Sequence, residues 1–260
     1  MLELWIGLAG GILIGATGAG LGLLVTPLLI CCGYAPAVAV GTGLGVSAIT
    51  KLAGAIIHHR LGHWPNHHLG ILMAGGASGV VIPWGLMHLW ASPGTLDLNL
   101  WIKRLLAGLL LLGGLMLLAT GSRPPADGPR LASERQSVAR TDLRRRVWLF
   151  GIGLGVAALD TFTAAGTGSL LVPALASTTP WSVPEMAAVS NLFGWMVGGL
   201  SVIAYARLGG FDHRLFMIVL LGLLPGVAAG ALLSRSISRA WFVRGLGAAG
   251  LLLGVRLLFS

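Results

Sequence analysis

Charge is what this sequence has least of. Asp, Glu, Lys and Arg make up 10% of its 260 residues, against roughly 25% in soluble domains. Acid is scarcer still, with 8 Asp and Glu beside 17 Lys and Arg. A water-soluble enzyme needs a surface rich in polar and charged groups, so that class is excluded first. Disorder is excluded as well. Disordered chains are poor in apolar residues, whereas 55% of this chain is hydrophobic and its mean hydropathy is +0.87. Cysteine is nearly absent: Cys31 and Cys32 are adjacent in an apolar run and supply neither a disulfide framework nor a metal spacing. The opening Met1-Leu2-Glu3-Leu4-Trp5 lacks the positive n-region of a cleaved signal, so the first apolar segment is expected to stay as a membrane helix. No strand precedes Gly20-Leu21-Gly22 and no Lys-Ser/Thr pair follows it. That removes nucleotide binding and direct ATP coupling, and no cofactor is implied.

What the chain does have is long apolar runs. Spanning a bilayer takes roughly 20 such residues. Runs at 4–31, 36–57, 69–90, 101–120, 147–176, 185–206, 213–233 and 240–259 predict an all-α membrane protein, a polytopic bundle of about eight transmembrane helices. Trp5, Trp90, Trp101, Trp148 and Trp241 fall near run ends, at the headgroup level an amphipathic ring prefers. The runs are apolar on every face, which excludes the alternation of a β-barrel. The 41 Gly and 12 Pro are tolerable in membrane helices, where small residues let helices approach closely.

The central segment 121–146 is basic, with Arg123, Arg130, Arg135, Arg140 and Arg144 to Arg146, and contains Pro124, Pro125 and Pro129. It reads as a flexible cytoplasmic loop under the positive-inside rule, in the inner (plasma) membrane of the cell. The net charge of +9 is thus a topology signal beside lipid and calls for no nucleic-acid partner. Eight full spans would put both termini in the cytoplasm too, with Arg60 and Arg207; Lys103 and Arg104 would fall on the wrong side.

That loop divides an internal repeat, residues 1–120 and 147–260. Gly20-Leu21-Gly22-Leu23-Leu24-Val25-Thr26-Pro27 reads against Gly166-Thr167-Gly168-Ser169-Leu170-Leu171-Val172-Pro173 at an offset of 146, and Thr17 against Thr163. Arg60-Leu61-Gly62 matches Arg207-Leu208-Gly209, and Gly79-Val80 matches Gly226-Val227, at 147. Trp101 and Arg104 match Trp241 and Arg244. The chain reads as two four-helix repeats, the common plan of secondary transporters.

The order Gly15, Gly18, Gly20, Gly22, Pro27, then Ala39-Val40-Gly41-Thr42, repeated as Gly166, Gly168, Pro173, then Ala187-Ala188-Val189-Ser190, resembles the TauE/SafE family of membrane transporters, the sulfite exporter or toluenesulfonate uptake permease family. The resemblance covers essentially the whole chain. It implies a multi-pass transporter of sulfite or organosulfonates, not an enzyme. Gly20-Leu21-Gly22 stands where the family usually has a Gly triplet, and Asp160 is not part of its pattern.

The residues read the same way by themselves. Gly-rich backbone at membrane depth is tolerated where it is buried or lines a cavity, so the first and fifth helices are expected to be discontinuous. A half-helix after each break would offer free N–H groups to a small anion. Thr17, Gly18, Gly20 and Gly22 are expected to face Thr163, Gly166, Thr167, Gly168 and Ser169 across one mid-membrane site between the repeats. Gly7, Gly11 and Gly15 have ordinary packing spacing instead. Lys51 and Asp160 are the charges well inside the spans, where charge is costly. Lys51 reads as a counter-charge for the anion or as a snorkelling lysine. Asp160 reads as a coupling proton carrier or a paired structural acid. Asn191, beside Ser190, is a further hydrogen-bonding candidate.

Two other signals carry different chemistry. Residues 58–68 hold five of the seven histidines; with Asp160 they leave a metal or other cation transporter as the alternative. Gly62 and Pro65 make the segment a turn, so no metal site is expected there. Gly76-Ala77-Ser78-Gly79 copies the Gly-x-Ser-Gly of rhomboid intramembrane proteases, but such a serine needs a base within reach. His88, ten residues on along the same run, is about 15 Å away by helix rise.

Overall fold

The computed structural model describes residues 1–17, 24–63, 68–90, 98–120, 142–164, 166–179, 181–233 and 239–259. Expected site residues Gly18, Gly20 and Gly22 lie outside these, as do residues 121–141 of the basic segment and the side chains of Thr17 and Ser169. All described elements are helices: α1 (Leu2–Thr17), α2 (Val25–Cys31), α3 (Pro36–Arg60), α4 (Leu69–Trp90), α5 (Leu98–Thr120), α6 (Asp142–Thr163), α7 (Gly166–Ser169), α8 (Leu171–Thr178), α9 (Val183–Arg207), α10 (His213–Leu233) and α11 (Arg239–Phe259). Among the described residues five helices, α3, α4, α6, α9 and α10, are long and apolar enough to cross a bilayer.

Two expected spans are not single helices. The run at 4–31 contains α1 and α2. The run at 147–176 contains α6, α7 and α8, with Ala164 left-handed at φ 56° between the first two. α6 also begins five residues before the apolar run, at Asp142. Leu143 and Arg144 to Arg146 form helix readily, so the basic segment's last residues are the first turns of α6.

Turn chemistry repeats at the ends of α3 and α9. Gly62 and Gly209 both adopt φ 72°, a conformation that costs glycine nothing. In each case the next amide donates to a carbonyl five residues back, His63 to His58 at 3.1 Å and Gly210 to Tyr205 at 2.8 Å. This is the Schellman closure, made by the Arg-Leu-Gly that recurs in the sequence. The start of α9 is capped differently, by a Ser182–Glu185 capping box.

Glycines set the helix pairing, because absence of a Cβ lets backbones touch. A methyl at Gly7 would strike the Val219 carbonyl, and one at Gly222 or Gly226 would strike that of Leu4 or Leu8. So α1 and α10 run side by side in the same direction. α4 and α6 do likewise: Gly75 and Gly79 abut the Phe150 and Leu154 carbonyls, and Gly153 abuts that of Leu72. α3 and α9 instead run in opposite directions, with Gly41 at Gly210, Lys51 at Gly194 and Gly54 at Asn191. α5 and α11 are also opposed, Gly114 meeting Leu251 and Gly254 meeting Ala107.

Candidate functional site

The interrupted segments meet at α3. A Cβ at Gly43 would sit 2.5 Å from Thr26 Oγ1, on α2, and 3.5 Å from Ala164 Cβ, at the end of α6. Thr26, which follows the first interruption, and Ala164, at the second, therefore meet at one glycine. Around it Val40, Leu44, Met87, Ile102, Ala164 and Tyr205 form a buried cluster drawn from α3, α4, α5, α6 and α9. A left-handed alanine is strained by about 1–2 kcal/mol, and such strain persists where packing over-determines it. Ala164 is 3% exposed in that cluster.

One turn before Ala164 stands Asp160, 2% exposed. Its Oδ1 accepts from the Thr167 amide at 3.1 Å, and its Oδ2 lies 3.4 Å from the Thr167 hydroxyl. The carboxylate thus reaches over the break and holds α7 by its second residue. Lys51, two turns beyond Gly43 on α3, points to the same place: its Nζ donates to Thr167 Oγ1. The amine does not run out to the helix end. Its stem lies across Gly194 of α9, where any side chain would collide with it. Ser190 of α9 closes the arrangement by donating to the Thr167 carbonyl at 3.1 Å. Thr167 is consequently gripped at amide, hydroxyl and carbonyl by groups from α3, α6 and α9.

The structure brings Lys51, Asp160, Thr167 and Ser190 together, and it sets Asn191 nearby, against Gly54 one turn from Lys51. The Thr163 hydroxyl donates to the Leu159 carbonyl at 2.7 Å, within its own helix. The Thr167 amide, expected to be open to an anion, is bound to Asp160. Gly166 and Gly168 lie in α7 on either side of Thr167.

Three features were not read from the sequence. Thr26 and Thr42 are fully buried, and their hydroxyls have no hydrogen-bond partner among the described residues. Thr26 sits in the motif read for the repeat, and Thr42 in the one that carries the family resemblance. A second polar knot ties α6 to α9: Thr161 and Ser201 hydroxyls lie 2.9 Å apart, and Tyr205 donates to the Thr161 carbonyl at 3.0 Å. The left-handed Ala164 carries no signal of its own.

Among the described residues no group of three or more His, Cys, Asp and Glu converges as a metal site would. His58 and His63 approach at 3.4 Å, with 64–67 outside the described residues. Ser78 donates to the Ala74 carbonyl of its own helix at 3.0 Å, ordinary helix back-bonding.

The model for the family described as sulfite exporter TauE/SafE matches residues 4–257. The chain belongs to the TauE/SafE family. A TauE/SafE relative from Bacillus subtilis (strain 168), the probable membrane transporter protein YjnA, is 28% identical over 233 residues, covering 90% of this chain and 89% of that protein. No solved structure matches the chain. TauE/SafE membership makes the protein a multi-pass membrane transporter, in agreement with its apolar helices.

Proposed function

We propose that the protein is a secondary transporter of small sulfur oxyanions, sulfite or an organosulfonate, bound near mid-membrane between two repeats. The family's description names the substrate class. The observation that carries the site is Lys51, a cation from the first half, donating to Thr167 on the second half's break beside Asp160. Positive charge and hydroxyl donors suit an oxyanion. Asp160 is itself an oxyanion seated on the Thr167 amide. A substrate using that amide must displace the carboxylate, and protonation of Asp160 releases it. Anion entry and a proton on Asp160 are thereby coupled.

The helix directions support repeats of inverted topology, a plan found in many transporters. By the sequence offset α1 corresponds to α6, α3 to α9, α4 to α10 and α5 to α11. Each of α3 and α5 opposes its own counterpart, and Gly75–Phe150 and Gly222–Leu4 are one contact seen twice, at offsets of 147 and 146. In this reading α1–α2 and α6–α8 enter and leave on one face, and each half crosses three times. Glu3 and Phe259 then lie across the membrane from the basic segment, not beside it. That segment stays cytoplasmic with Arg60, Arg239 and Arg244, while Lys103, Arg104, Arg207, Arg214 and Arg256 face the other side. The positive excess still marks the cytoplasmic face.

Flux of labelled sulfite, methanesulfonate and a divalent metal into proteoliposomes tests the substrate. We expect sulfite or sulfonate flux that Lys51→Gln abolishes and Lys51→Arg partly keeps, in protein of unchanged yield. Metal flux alone, or a fully active Lys51→Gln, would overturn the reading. Single-cysteine variants at Ser133 and Ser260, each in a background lacking Cys31 and Cys32, test topology. An impermeant maleimide on spheroplasts should label Ser260→Cys and spare Ser133→Cys until lysis. Equal behaviour of the two positions would refute inversion.

A further inference from the structure

Two residues of the first half outside the Lys51–Thr167 cluster carry buried hydroxyls that the described fold leaves unused. Thr26 and Thr42 are both 0% exposed, and neither hydroxyl finds a partner among the described residues. Elsewhere the chain pairs its buried threonines. Thr161, Thr163 and Thr179 each donate to the carbonyl four residues back. Thr42, the seventh residue of α3, has a helical turn before it and does not make that bond. Thr26 is the second residue of α2. A buried polar group without a partner is costly, and rare enough in native proteins to need a reason. Valine would fill the same volume at either position without that cost.

Their placement supplies the reason. Thr26 rests on Gly43, against which Ala164 also packs, and Thr42 is the residue just before Gly43 along α3. Thr42 also closes the motif Ala39-Val40-Gly41-Thr42 as Ser190 closes Ala187-Ala188-Val189-Ser190, and the Ser190 hydroxyl bonds the Thr167 carbonyl of the second half's break. We infer that Thr26 and Thr42 donate hydrogen bonds to the transported oxyanion at the crossing of the two breaks, a station nearer the start of α3 than Lys51. Lys51 and Thr42 are nine positions apart on one helix, about 13 Å by helix rise. The two stations would be occupied in succession.

This inference rests on the anion reading above, and its test separates the two. The full chain is reconstituted as wild type and as Thr26→Val, Thr42→Val, Thr26→Ser and Thr42→Ser. Sulfite and methanesulfonate flux and unliganded Tm are measured for each. We expect each valine to raise the apparent KM roughly tenfold, as loss of a hydrogen bond to a charged group does. Unliganded Tm should hold or rise, because an unpaired polar group is gone. The serine variants should keep near wild-type KM. Valine variants with wild-type KM overturn the inference. So do serine variants as impaired as the valines, which would make the methyl groups and their packing the cause. If a valine variant folds too poorly for flux, a serine variant with normal Tm and normal KM still supports the hydroxyl role. A wild type that moves neither sulfur anion sinks the anion reading and this inference with it, whereas variant failures alone sink only the latter.

Discussion

The two interrupted segments share a packing partner and differ in chemistry. Each includes a glycine-locked helix, and Thr26 of the first and Ala164 of the second both pack on Gly43. Yet the second carries Asp160 and a network that grips Thr167 from three helices, while the first carries Thr26 with an unpaired hydroxyl. At the offset of 146 the counterpart of Asp160 is Ile14, and Lys51 has no cationic counterpart in α9. Packing thus obeys the repeat, because both halves must bury the same helix faces. Charge does not, because one buried cation and one buried acid suffice for one site and a second pair would cost several kcal/mol of desolvation.

The largest effect should come from the charged side of this comparison. Asp160→Asn and Lys51→Gln should each cut sulfite or sulfonate flux by about thirtyfold or more, since truncating one member of a buried charged network costs roughly 2–5 kcal/mol. Asp160→Asn should also flatten the dependence of flux on an imposed pH gradient. Proton-driven flux that survives Asp160→Asn would remove its coupling role.

Next comes the symmetric side. Gly75→Ala and Gly222→Ala place the same methyl against equivalent carbonyls, so each should lower stability by about 1–3 kcal/mol, to a similar extent in thermal-shift unfolding. Gly85→Ala and Gly108→Ala, where nothing lies within 4 Å of the added carbon, should leave Tm unchanged or raise it. Strongly unequal losses at Gly75 and Gly222 would break the equivalence of the halves.

The smallest effects sharpen the contrast among hydroxyls. Thr161→Val removes a bond internal to the fold and should cost about 1 kcal/mol of stability with KM untouched. Thr163→Val, whose hydroxyl is spent on the Leu159 carbonyl, should change KM less than Thr42→Val. A KM effect larger at Thr163 than at Thr42 would reverse the assignment of the two.

Much of the site is legible in the sequence. Lys51 and Asp160 stand out because charge inside an apolar run needs a reason, and the structure joins them through Thr167. The interruption of the run at 147–176 is legible because Gly166 and Gly168 stand among hydroxyl residues. The unpaired hydroxyls of Thr26 and Thr42 are not legible in the sequence. A threonine in a helix ordinarily bonds its own backbone, and only the fold reveals which ones do not.

The sequence alone determined that the chain lives in a membrane, that it is helical and that it belongs to its family. These properties come from composition, from the length of its apolar runs and from motif order, all of them local or additive. The tertiary structure alone decided which backbones touch, that Lys51 turns inward to Thr167 instead of outward to the headgroups, and that α3 and α9 run in opposite directions. Those depend on where each chain segment turns back. A left-handed Ala164 interrupts a helix while leaving the hydropathy of the run almost unchanged.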